Sequence, residues 1–114
     1  MKRTPLKRQS CRLKRRIDPE DVVWATQIKD RDGHRCVRCG IYCKGTAQAA
    51  HIIPRRFKAA RHLYENGVCL CLACHADAHT NEPYFRYWFK ATFPVRWDSL
   101  VLLAKQLKYR LEKA

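Results

Sequence analysis

His51-Ile52-Ile53-Pro54, then Asn66, then Cys71-Leu72-Ala73-Cys74-His75 and His79 form the stretch whose reading decides the fold. Upstream, Cys36-Val37-Arg38-Cys39 repeats the two-residue Cys spacing. Two such pairs can close one tetrahedral four-thiolate zinc site, so Cys36, Cys39, Cys71 and Cys74 are the expected structural ligands. Cys43 and Cys69 remain competitors for the fourth position. A zinc ribbon alone does not call for the His, Asn and His set between and just beyond the pairs.

Local signals place these residues on elements. Ala47 to Ile53 reads as a short strand that Pro54 stops, with His51 on it. Asn66-Gly67 reads as a turn and Val68 to Leu72 as the returning strand, with Val68, Leu70 and Leu72 on one face. A helix should start near Cys74 and carry His75 and His79 on the same side, four residues apart. Arg55, Arg56, Lys58 and Arg61 make a basic connection between the strands, where the bidentate geometry of Arg suits a phosphate. His34 and His62 read as surface residues.

The order His51, Asn66, His75, with nine positions from Asn66 to His75 and His75 directly after a zinc-pair Cys, resembles the HNH nuclease family. The likeness covers roughly residues 20 to 95 and implies an α+β chain: a small ββα-metal domain with a four-Cys zinc site, flanked by helices. It implies His51 as general base, with Asn66 and His75 orienting the base or binding a catalytic Mg²⁺, Mn²⁺ or other divalent ion. Many HNH enzymes place Asp or His just before the base, as a metal ligand. Ala50 stands there in this chain. His79 is the expected substitute, because a similar His-x-x-x-His helix occurs in colicin-type HNH nucleases.

Composition agrees with a nucleic-acid partner. The chain has 114 residues and a formal net charge of +14, from 24 Lys and Arg against 10 Asp and Glu. Such a balance points to a polyanion. No apolar run nears the ~20 residues needed to cross a bilayer, so no membrane role is expected. Residues 1–17 read as a flexible basic arm. Lys2, Arg3, Lys7, Arg8, Arg12, Lys14, Arg15 and Arg16 carry its charge, and no acid precedes Asp18. Seven Cys, four of them at zinc spacing, and no signal segment imply a reducing compartment, the cytoplasm of a bacterial or phage-infected cell. Residues 18–114 form the expected domain.

A helix from Pro19 to about Asp32 is expected, with Asp18 as N-cap, Gly33 just past its end, and Val23, Ile28 and Trp24 as apolar anchors. Downstream, Asn81 should cap a helix whose Phe85, Trp88 and Phe89 face the core. Asp98 should cap a last helix with Leu100, Ala104, Leu107 and Leu111 on one side. The function expected is metal-dependent hydrolysis of double-stranded DNA. The alternatives are a zinc-ribbon module that binds DNA without cutting, and a protein directed to RNA.

Overall fold

The computed structural model describes residues 18–111, so the basic arm and the last three residues lie outside the described residues. Helix α1 spans Pro19–Arg31, and the Asp18 carboxylate accepts from the Glu20 N–H at its start. Gly33 follows at φ 68°, a left-handed conformation that glycine adopts without a Cβ penalty. Trp24 and Ile28 are buried, whereas Val23 is exposed, against expectation. Positions 24 and 28 are one helical turn apart; position 23 is five residues from 28 and falls off that face.

Strand β1 (Gln48–His51) pairs antiparallel with β2 (Gly67–Leu70), in a register that sets Ala50 opposite Val68 and His51 opposite Gly67. The link between them holds a short helix α2 (Lys58–Arg61) and a 3-10 turn (Tyr64–Asn66). All four β2 residues are buried, so no solvent face alternates along it. The expected Asn66-Gly67 turn is absent. Asn66 ends the 3-10 turn with its side chain buried, and Gly67 is already extended strand. Leu72 is also displaced from the expected strand: helix α3 (Leu72–Thr80) starts there, with Cys71 as its N-cap, and Leu72 is exposed.

Helix α4 (Glu82–Thr92) buries Phe85 and Phe89 as expected, with Trp88 half-buried beside them. Helix α5 spans Pro94–Gln106, starting four residues before the expected Asp98 cap. Pro94 takes the first helical position, where its missing N–H costs nothing. The helix stops before Leu107, and Lys108 reverses the chain at φ 59°. Leu111 is therefore buried from a returning tail, not from the helix face the sequence implied. α1 and α3 pack against the strands, and α4 links α3 to α5. None of the described helices is long and apolar enough to cross a membrane.

Candidate nucleic-acid active site

Two sites matter on this frame, and a third group, Asp18, Glu20 and His62, also brings its ligand atoms within 4.8 Å of one another. The first is the four-thiol site. The Sγ atoms of Cys36, Cys39, Cys71 and Cys74 lie within 4.8 Å of one another. Cys39 Sγ and Cys71 Sγ are 3.8 Å apart. A tetrahedral zinc with Zn–S near ~2.3 Å needs sulfurs about 3.8 Å apart, so this donor set fits zinc. Each pair turns a backbone N–H onto its first sulfur: Cys39 onto Cys36 and Cys74 onto Cys71, both at 3.4 Å. Burial disfavours the Cys36 thiolate, but the backbone groups of Cys39, Cys71 and Arg38 outweigh it and lower its pKa to about 6. Cys43 and Cys69 lie outside this cluster. Burial pushes the Cys69 thiol up to about 12, and it packs as a buried neutral side chain.

The second cluster lines a cleft of about 530 Å³. His51, His75 and His79 all border it, together with Ala50, Arg55 and Arg56. His51 ends β1 and stacks on the buried Trp24 ring, centroids 4.2 Å apart and planes within 14°. Its Nε2 lies 3.0 Å from the Arg61 carbonyl oxygen. A carbonyl only accepts, so Nε2 carries the proton and Nδ1 keeps the lone pair. Burial pulls the His51 pKa below its ordinary value. Arg55 and His62 add to that, while the Arg61 carbonyl and Asp21 oppose it. The ring is thus neutral and basic near pH 7.

His75 and His79 stand one turn apart on α3, with their Nε2 atoms 3.3 Å apart. Two nitrogens on one ion at ~2.0–2.1 Å in tetrahedral geometry are about 3.3 Å apart, so the pair fits a shared divalent ion. Burial, then His79, lowers the His75 pKa, which favours the neutral ligand form. Ala50 is buried beside His51 and offers no donor.

Asn66 does not enter the cleft lining. Its Oδ1 accepts from the Ile53 N–H at 2.6 Å, and its Nδ2 donates to the Ile53 and Ala60 carbonyls at 3.1 and 2.9 Å. The amide mimics a strand partner and pins the segment after His51. Arg55 donates through Nε to Asp21 on α1 at 3.1 Å, and its Nη2 makes a second bond to the same carboxylate. Arg56 packs over the Phe57 ring. Lys58 and Arg61 line a separate hollow with Asp18, Glu20 and His62, so the structure does not bring them to the histidines. The Arg61 carbonyl, not its guanidinium, serves His51. His62 is not a bare surface residue: its Nε2 lies 2.5 Å from Asp21.

Residues 36–81 match the family model described as HNH endonuclease. That segment is similar to HNH endonuclease domains, spans both Cys pairs, His51, Asn66, His75 and His79, and implies a nucleic-acid substrate. No curated protein and no solved structure matches the chain.

Four residues that bear on the HNH cleft went unassigned from sequence. Trp24 sits under His51 and Gly67 opposite it. Arg86 lines the cleft, and Tyr109 contacts Arg86. Trp24 stood out only as a core anchor, and Arg86 lies on a helix that read as packing alone. Only tertiary contacts mark them.

Proposed function

We propose that this protein is a metal-dependent endonuclease that hydrolyses phosphodiester bonds of double-stranded DNA. The observation that carries it is the placing of a tautomerically oriented imidazole, His51, in one cleft with the His75–His79 pair. His51 Nδ1 takes a proton from the attacking water as the water oxygen bonds to phosphorus. The bond from phosphorus to the 3′ oxygen breaks, leaving a 5′-phosphate and a 3′-hydroxyl that draws its proton from solvent. The Arg61 carbonyl holds the other ring nitrogen throughout, and Asp21 eases the imidazolium that results. Asn66 acts as a positioning residue for the segment that follows the base. Arg55 and Arg56 hold the backbone phosphate. A divalent ion on His75 and His79 would supply positive charge to a nonbridging oxygen and to the departing oxygen.

Residues 1–17, with their eight cations, would lie along neighbouring phosphates. Their charge and the compartment implied by the thiols fit a protein of a bacterial or phage-infected cytoplasm.

A DNA-binding module without catalysis is the second reading, and Ala50 favours it, since it leaves the base without an adjacent ligand. Plasmid nicking in Mg²⁺, Mn²⁺ or Ni²⁺ separates the two. The parent should cut, and His51→Ala should bind equally and cut ~10²–10⁴-fold more slowly. Equal cutting by both would sink the mechanism.

A further inference from the structure

The cleft wall continues beyond the HNH match. Arg86, on α4, lines the same cleft as His51, His75 and His79, and it is 8% exposed. A buried guanidinium stays charged, so its surroundings must compensate it. Nη1 donates to the Leu111 carbonyl at 3.1 Å, and Nη2 to the Glu82 carboxylate at 3.0 Å and to the Tyr109 hydroxyl. That uses three of five N–H donors among the described residues. The returning tail is what holds it: Leu111 is buried and Tyr109 lies within 5.7 Å of the Arg86 guanidinium. The same Tyr109 ring lies 5.4 Å from the Arg56 guanidinium. One aromatic ring thus braces two cleft-lining arginines.

The charge balance shows what this arrangement can take. Arg55, Arg56 and Arg86 line the cleft with one lining carboxylate, Glu82, which pairs with Arg86, while Asp21 on α1 pairs with Arg55, so three guanidinium groups meet two carboxylates. A concave wall with that excess concentrates anions. If the guanidinium served only to tie down the tail, it would have no need to face the cleft.

We propose that Arg86 is a phosphate-contacting residue, paired with Arg56 in a second backbone-phosphate subsite of the cleft, with Tyr109 and Glu82 as its positioning residues. This rests on the cleft being the nucleic-acid site, but not on cleavage. It extends the binding surface to a helix outside residues 36–81.

The test is binding of full-length protein to a short DNA duplex by fluorescence anisotropy across a salt series, with no added divalent ion. Arg86→Gln should flatten the slope of log affinity against log salt by about 0.9, the loss of one phosphate contact. Arg86→Lys should keep the slope but bind more weakly, because a point charge cannot bind in bidentate fashion. Tyr109→Phe should lower affinity without changing the slope. Zinc content and thermal transition are measured alongside. A lower transition with an unchanged slope in Arg86→Gln would overturn the proposal and leave Arg86 a tail anchor. Should Arg86→Gln not fold, the parent still decides: the Arg86 Nε–H resonance should shift as duplex is added, and an unmoved resonance overturns the proposal. A parent that binds with these slopes but never cuts would refute the nuclease and leave the subsite standing.

Discussion

Gly67→Ala tests how the base is held. The residue lies opposite His51 in the ladder at φ −152°, extended backbone that alanine adopts freely. Space is the constraint. A Cβ there would stand 2.4 Å from Trp24 Cζ2, 2.9 Å from Cη2 and 3.1 Å from Ile28 Cγ1. Neither neighbour can yield cheaply. Ile28 is fully buried, and Trp24 is pinned by its Nε1–H to the Leu63 carbonyl at 2.8 Å and by the His51 stack. Overpacking of this kind costs about 1–3 kcal/mol. At about 4–8 °C per kcal/mol for a domain near this size, Tm should fall by roughly 5–20 °C. The displaced indole should also move His51, and a shift near ~1 Å can cost up to about 10²-fold in rate. Calorimetry and plasmid nicking read the two effects. Trp24→Phe removes the obstructing part of the indole, so the double variant should be less destabilised than the two losses added together. Additive losses, or a Gly67→Ala protein with parental Tm and rate, would refute the contact.

Five further outcomes are expected. The purified protein should hold about one zinc; Cys36→Ser or Cys74→Ser should lose it and fold poorly, while Cys43→Ser should keep it, as read by metal analysis and circular dichroism. The acid limb of kcat/KM should fall below the ordinary His value of ~6.5, since burial lowers the His51 pKa, and Asp21→Asn should push it lower still. By the same sign, the stability His51 contributes should be full above ~6.5 and lost as pH falls toward its folded pKa, a dependence that His51→Ala should remove in urea titrations. His79→Ala should raise the metal concentration needed for cleavage, His62→Ala should not, and Ala50→Asp should partly rescue His79→Ala; equal metal curves for parent and His79→Ala would exclude it as a ligand. Deleting residues 2–16 should weaken binding and flatten its salt slope, with cleavage per bound complex unchanged.

Spacing made the four-Cys cluster and the His75–His79 pair legible, because each Cys pair and the His pair are local in sequence even though the two Cys pairs are far apart. A Cys-x-x-Cys turn and an i, i+4 helical pair carry their geometry with them. What failed depended on the rest of the chain. Asn66-Gly67 has the residues of a hairpin turn, but the Asn66 amide bonds to Ile53 and Ala60, contacts that exist only once the 52–66 link has folded back. Gly67 is small because Trp24 needs the room, not because the chain turns there. α4 ends at Thr92, just before Phe93-Pro94, and Pro94 also opens α5, since proline is tolerated on either side of a helix boundary. Leu107 and Leu111 continued an apolar helical period, yet Lys108 ends it and the tail carries Leu111 back to Arg86.

His51, His75 and His79 all lie within residues 36–81, but the geometry around them does not come from that segment alone. Trp24 on α1 supplies the surface under His51, and Asp21, one turn earlier, holds Arg55 and faces the base electrostatically. Leu63 closes the arrangement by accepting the Trp24 N–H. On the other side, α4 and the returning tail supply Arg86 and Tyr109. A two-stranded ladder and one short helix bury too little surface to hold an imidazole tightly on their own. A metal on the four thiols would tie the Cys36–Cys39 turn to the start of α3, which carries His75 and His79, while α1 packs under His51. The separation between the base and the histidine pair is therefore governed by how α1 packs across both strands. This explains why a glycine opposite the base, and not a residue touching any metal, is the position where the smallest added atom should disturb the chemistry most.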